Sequence, residues 1–256
     1  MVIHVLPDYA EARIPENFRN GIMEAHEMLE GIPDQMSDMD LLILAGGKSR
    51  RMNGIHKGEL AGAGGTFTEE LAAGMQPVFR HVYLSFAEEW HQVPAGLTVV
   101  EDHFPGCGPM AGIEAGLLAS TTEWMAVAGC DMPLLEPLLY EYLAKALSAA
   151  LQEKKDILCG QISLSEKKEH YICGVVPVLQ GKMHPLAGIY HKSFGGILTR
   201  ELQAGHYRLG RTLMEYHVLQ VPVDEIEGFA EMLTNVNTPE EYEELRRKRG
   251  WKYECK

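Results

Sequence analysis

The residues best equipped for chemistry stand in three short segments rich in glycine and charge. In the first, Leu41 to Met52 reads LLILAGGKSRRM, and Lys57 follows a few residues on. Gly46 and Gly47, placed after an apolar run, let the backbone turn sharply and come close to a ligand. Their N–H groups can cradle oxyanions. Lys48, Arg50, Arg51 and Lys57 set four cations within ten residues. Such a cluster suits a triphosphate, with arginine offering a bidentate fork and lysine a point charge. The competing reading is a tight turn with exposed basic side chains. The Gly47-Lys48-Ser49 triplet ends like a P-loop, but Leu42 occupies the position of that motif's first glycine, so any phosphate grip works by another route.

The second segment is AGCDMP, in which Asp131 closely follows the apolar run Trp124 to Ala128. A hard carboxylate at the end of a strand can hold Mg²⁺, which in turn bridges phosphate oxygens. Pro133 and a long helical pattern come next, so a helix N-cap is the alternative role for Asp131. The third segment, VVEDHFPGCGPMAG, puts Asp102 after another strand-like run, where it could hydrogen-bond a ribose or assist a metal, or simply turn a loop. Gly106, Gly108 and Gly112 suit a tight turn and close packing of a helix on a sheet. Glu101 and His103 read as loop or surface residues rather than ligands. Cys130 lacks a separate base or oxyanion motif and is read as buried, not nucleophilic. The histidines show no H-E-x-x-H or similar spacing, which disfavours a zinc enzyme.

These segments need elements to position them. Apolar runs at Leu41–Leu44, Val82–Phe86, Leu97–Val100, Trp124–Ala128 and Tyr171–Leu179 predict strands. Helices are expected at Thr68–Val78, Pro109–Ala119 and Leu134–Gln152, with Thr66 and Glu69 capping the first and Pro109 opening the second. Strands alternating with helices imply βαβ crossovers and a mostly parallel sheet covered on both faces. In such a sheet ligands sit beyond the carboxyl ends of the strands, and all three segments follow predicted strands. Near the C-terminus, NTPEEYEELRRKRG predicts a helix capped by Thr238 and Glu241, with Pro239 in its first turn and Gly250 after its basic end. Upstream, Val2–Leu6 suggests a short strand and Glu16–Leu29 a helix. Pro33 to Asp38 is a candidate linker, which divides the chain into an N-terminal extension at 1–39, of unknown role, and a main domain at 40–256.

Composition sets outer bounds. A chain of 256 residues, 46% hydrophobic and 23% charged, is ordinary for a globular protein. A net charge of −13 repels nucleic acid unless a strong local basic patch intervenes. Five scattered cysteines without a C-x-x-C pair imply neither a zinc site nor a disulfide framework, and point to a reducing, cytoplasmic compartment. No stretch approaches the roughly 20 apolar residues that span a bilayer, and the N-terminus lacks signal-peptide character.

Taken together, LAGGKSRRMNGIHKGEL, GPMAGIEAGL, AVAGCDMPLL and HPLAGIY…NVNTPEEY resemble, in order, the molybdenum cofactor guanylyltransferases, the MobA-type nucleotidyltransferases. The resemblance runs from about Leu41 to Leu245. It implies a Rossmann-like, three-layer α/β/α fold related to the nucleotide-diphospho-sugar transferases. The implied reaction moves GMP from GTP to the terminal phosphate of molybdopterin, with Mg²⁺, and releases pyrophosphate. Carried over by motif, Leu44, Ala45, Gly46 and Gly47 line the nucleotide, and Arg51 and Lys57 hold its phosphates. Asp102 contacts nucleotide, Asp131 binds both nucleotide and metal, and Asn237 or Asn235 sits near the metal. GTP and molybdopterin are the implied partners, together with transient contact to molybdoenzymes or cofactor-biosynthesis proteins; a monomer and a small homo-oligomer both remain open. The chain departs from the family pattern at His56, where aspartate is usual before the signature lysine, and at Asn53. It departs also at Ser85-Phe86-Ala87, where serine-alanine-asparagine is usual. A cytidylyltransferase that uses CTP, and a non-catalytic nucleotide- or cofactor-binding protein, are the alternatives.

Overall fold

The computed structural model describes residues 36–45, 58, 60–86, 93–158, 172–216 and 218–251, without the side chains of 152–158. The strand and helix expected at Val2–Leu6 and Glu16–Leu29 lie outside the described residues.

Four strands form the first half of the sheet: Asp40–Leu44 (β1), Val82–Ser85 (β2), Thr98–Val100 (β3) and Trp124–Gly129 (β4). They pair in parallel in the order β3-β2-β1-β4. The helices that follow β1, β3 and β4 cross back over the sheet's faces, as the alternation of apolar runs and helical patterns predicts. Neighbouring residues of β1 serve opposite faces because side chains alternate along a strand. Leu41 and Ile43 face Phe67–Met75 (α1) and Pro137–Leu158 (α3), through Leu71, Met75, Leu139 and Tyr140. Leu42 and Leu44 face Pro109–Ala119 (α2) and Ser193–Gln203 (α4), through Met110, Ile113, Phe194 and Leu198. Leu41, Leu42 and Ile43 are fully buried, each contributing about 1.5–3 kcal/mol relative to exposure. The result is the three-layer α/β/α arrangement expected from the sequence.

The second half of the sheet is mixed rather than parallel. Gly174–Leu179 (β5) ends in a two-residue turn at Gln180 and Gly181, whose φ angles are 52° and 73°. Positive φ at both central residues is the hairpin turn that matches strand twist, so the chain doubles back into Lys182–Met183 (β6). It bulges out at Pro185–Ala187, then continues as Ile189–His191 (β7) between β5 and β4, antiparallel to both. Val218–Pro222 (β8) adds in parallel to the far edge of β5. The sequence motif HPLAGIY therefore spans a bulge and a strand.

Helix ends follow their capping signals. Thr66 with Glu69, and Thr238 with Glu241, both form complete capping boxes. Pro239–Arg249 (α7) ends at Gly250, which takes a left-handed φ of 67°. Tyr242 of α7 donates its hydroxyl to the Ala61 carbonyl at 2.9 Å and packs edge-on against Phe67 at the start of α1. Leu209–Glu215 (α5) and Phe229–Met232 (α6) complete the helices of the described residues.

At the amino edge of the sheet, Asp40 is fully buried and collects donors from three directions. Ser120 Oγ and the Thr121 N–H each reach Oδ2 at 2.9 Å, and His81 Nδ1 reaches Oδ1 at 3.1 Å. These bonds tie the start of β1 to the approaches of β2 and β4, fixing the register that levels their far ends. Asp40→Ala strands buried donors, so urea unfolding is expected to show a loss of about 3 kcal/mol with an unchanged m-value. A loss under about 0.5 kcal/mol would show that the register is held by apolar packing alone.

Candidate active site

The register brings Leu44 level with Ser85 of β2 and Gly129 of β4. Pairing continues one step past the strands: the Ala45 N–H donates to the Ser85 carbonyl at 2.9 Å, and the Cys130 N–H to the Leu44 carbonyl at 3.0 Å. Leu44 and Ala45 are thus buried at the floor of the carboxyl edge. The glycine loop that they launch, with Gly46, Gly47, Arg51 and Lys57, lies outside the described residues.

On the β3 side, Asp102 accepts a hydrogen bond from Ser85 Oγ at 2.9 Å. Burial pushes its carboxyl above the ordinary carboxylate range; the Ser85 bond lowers it, the nearby Glu114 charge raises it, and His103 lowers it. Next comes the tight turn at Gly106 and Gly108, with φ of 79° and 77°, which delivers Pro109 as the opening residue of α2. A methyl group at Gly112 would stand 2.6 Å from both Leu44 Cδ2 and Ser85 Oγ. That glycine lets α2 lie directly under the site floor.

On the β4 side, Asp131 is not a helix cap. Two successive turns, with the Met132 N–H on Gly129 and the Leu135 N–H on Met132, intervene before α3 begins at Pro137 rather than at Leu134. The Asp131 carboxylate instead folds back over Gly129, where an added Cβ would meet Oδ1 at 2.7 Å. The Asp131 carbonyl accepts the Val236 N–H at 2.7 Å, which docks the Asn235-Val236-Asn237 segment beside it. Within that segment the Asn237 N–H is bound to Glu241 Oε2 at 2.6 Å. Asn235 Oδ1 is buried with no hydrogen-bond partner among the described residues. A carboxylate and an orphaned amide oxygen on adjoining segments are hard donors of the kind Mg²⁺ takes while keeping much of its water. Among the described residues no three His, Cys, Asp or Glu side chains gather as a metal cluster.

His184, on the bulge after β6, stands in the field of both Asp131 and Lys182; burial first, then Lys182, lowers its basicity, and Asp131 raises it. Cys130 is buried, its N–H engaged with the Leu44 carbonyl.

Two site features were not legible as motifs. Ser85, read from sequence only as part of a departure from the family pattern, is the partner of Asp102. His103, read as a loop or surface residue, donates Nδ1 to Glu114 Oε2 at 2.8 Å, and Glu114 is only 1% exposed. A glutamate inside the otherwise apolar GPMAGIEAGL helix was the available signal.

A half-parallel sheet with acidic loops at its carboxyl edge is the arrangement of α/β proteins that bind ligands beyond their strand ends. Residues 41–221 match the family described as MobA-like NTP transferase domain, and the chain belongs to that family of nucleotidyltransferases. It is 31% identical over 216 residues to a protein of Carboxydothermus hydrogenoformans named probable molybdenum cofactor guanylyltransferase, covering 82% of this chain and 96% of that one. It is 27% identical to the molybdenum cofactor guanylyltransferase of Vibrio vulnificus, over 78% of this chain and 91% of that one. Among solved structures, the molybdopterin-guanine dinucleotide biosynthesis protein A of Archaeoglobus fulgidus shares the fold, with a TM-score of 0.62 at 21% identity over 83% of this chain and 99% of that one. The 2-C-methyl-D-erythritol 4-phosphate cytidylyltransferase of Thermus thermophilus shares it too, with a TM-score of 0.55 at 12% identity over 80% of this chain and 98% of that one. Among the described residues no helix is long and apolar enough to cross a membrane.

Asp102 gives a prediction of opposite signs for stability and binding. Its carboxyl holds a proton to higher pH when folded than when unfolded, so ionisation removes stability as pH rises through that window, and the cost is complete at neutral pH. Asp102→Asn is therefore expected to melt above wild type at pH 7, the difference closing as pH falls below the ordinary carboxylate range. Its nucleotide affinity should fall about tenfold. Melting curves across pH and nucleotide titration at pH 7 check the two halves separately.

Proposed function

We propose that this protein transfers GMP from GTP to the terminal phosphate of molybdopterin, forming the guanine dinucleotide cofactor and releasing pyrophosphate. The observation that carries the reading is Asp131, folded over Gly129 at the end of β4 and level with the Leu44-Ala45 floor from which the cationic glycine loop departs. The names of the molybdenum cofactor relatives, matched along nearly their whole length, supply the substrates.

An oxygen of the acceptor's phosphate monoester attacks the α-phosphorus of GTP, and the bond from that phosphorus to the α,β-bridging oxygen breaks. The electron pair leaves on pyrophosphate. The nucleophile is already ionised at neutral pH, so no general base is required, and both partners being phosphates, no covalent enzyme intermediate is needed. Leu44 and Ala45 present backbone to the nucleotide, while Arg51 and Lys57 neutralise its phosphates. Asp131, with Asn235 ahead of Asn237 as second donor, would hold Mg²⁺, which would supply Lewis-acid polarisation of the phosphate oxygens. The remaining task for the protein is to hold acceptor and α-phosphorus in line.

The test is pyrophosphate release with GTP, molybdopterin and Mg²⁺. Asp131→Asn is expected to lower the rate about a hundredfold or more while leaving the fold intact. An unchanged rate would remove Asp131 from the reaction. Release with CTP but not GTP would move the protein to the cytidylyltransferase reading, and nucleotide binding without turnover of either would make it a binding protein.

A further inference from the structure

Glu114 is a charge-bearing side chain that the proposed reaction leaves unused. It sits mid-way along α2, 1% exposed, in the layer where α2 packs on α4. Burying a carboxylate is costly unless its oxygens are bonded, and here each has a donor. Thr199 Oγ1 of α4 reaches Oε1 at 2.6 Å, and His103 Nδ1 reaches Oε2 at 2.8 Å. The first bond fixes the carboxylate to the scaffold, and the second reaches out of the core to a loop. His103 is the residue directly after Asp102, and its side chain is 56% exposed. A carboxylate on one ring nitrogen fixes the tautomer and the ring plane, which makes Nε2 the nitrogen left for a ligand.

The position narrows the ligand. The phosphate-gripping loop leaves from β1, whereas His103 follows β3, two strands away, about 10 Å across the sheet. That span carries a nucleotide from its phosphates to its nucleoside. Asp102, beside His103, presents a carboxylate as a hydrogen-bond acceptor, and Nε2 of a ring whose Nδ1 carries the proton is a second acceptor. Two adjoining acceptors fit the adjoining hydroxyls of a ribose.

We propose that His103 binds the ribose of the nucleotide through Nε2, and that Glu114 and Thr199 are positioning residues that hold its ring for that contact. The inference rests on the proposed use of GTP and adds a ribose-reading residue to it. His103 is more than half exposed, so its replacement costs the core only the donor to Glu114 Oε2, whereas Glu114 variants face a larger folding risk.

The experiment is calorimetric titration of GTP, and of 2′,3′-dideoxy-GTP, into wild type, His103→Ala, Glu114→Gln and the double variant, with Mg²⁺ and with a melting curve for each. Wild type is expected to bind GTP about tenfold more tightly than the dideoxy form. His103→Ala is expected to weaken GTP severalfold and leave the dideoxy form unchanged, narrowing the preference to the share that Asp102 carries, with a lower melting temperature because Glu114 Oε2 loses its donor. Glu114→Gln should weaken GTP in the same direction, and the double variant should bind no more weakly than His103→Ala, the non-additivity of groups acting through one contact. If Glu114→Gln does not fold, His103→Ala alone decides. Equal GTP affinity in wild type and His103→Ala, or an equal loss on both nucleotides, overturns the ribose contact and leaves the proposed function standing. A wild type that does not bind GTP overturns both.

Discussion

Parallel pairing of β1 with both β2 and β4 is the constraint on which the site depends. Because the three strands are in register, Leu44, Ser85 and Gly129 end at one level. Two further backbone bonds, from Ala45 to Ser85 and from Cys130 to Leu44, carry the ladder just past the strand ends. The described loops emerge there side by side, the Asp102 turn beside Ser85 and Asp131 at Gly129, and the chain of the glycine loop leaves the same edge from Ala45. A one-residue slip would turn Leu41 and Ile43 to the wrong face and move Asp131 away from the floor at the same time. The buried Asp40 hub at the opposite edge guards against that slip.

Glycine and hydrogen-bond partners then do the fine placement. Gly112 lets α2 press against Leu44 and Ser85, and Gly129 leaves room for the Asp131 carboxylate. The Val236 bond to the Asp131 carbonyl brings in a segment from the far end of the domain, and α7 docking through Tyr242 keeps that segment in place. Residues more than a hundred positions apart in the chain thereby share one small surface. The acidic side of that surface is costly to fold, as the raised proton affinity of Asp102 shows, and such cost is common where groups are held for a ligand rather than for stability.

Much of this is legible in the sequence. The strands from Leu41, Val82 and Trp124, the helix Pro109–Ala119, both capping boxes and the Gly250 stop follow from local chemistry, and all appear as read. What failed to show were features set by distant contacts. HPLAGIYH reads as a motif because its short strand is interrupted by a bulge, and its antiparallel course is decided by the Gln180-Gly181 turn. Val218–Pro222 is a strand because β5 offers it an edge. Thr98–Val100 was visible, but the bond from Ser85 to Asp102 joins residues from different strands, and no spacing rule predicts it. His103 looked idle for the same reason: its partner lies eleven residues on, buried in a helix. The readings on Gly46, Gly47, Arg51 and Lys57 fall outside the described residues.

The most direct test of the central claim is a crystal structure with Mg²⁺ and a non-hydrolysable GTP analogue cleaved at neither phosphate bridge. The account predicts the α-phosphate over the carboxyl end of β1, between the Ala45 backbone and the Asp131 carboxylate, with the nucleoside running toward Asp102. A nucleotide bound elsewhere, or one reversed so that its base lies on Asp131, would contradict it.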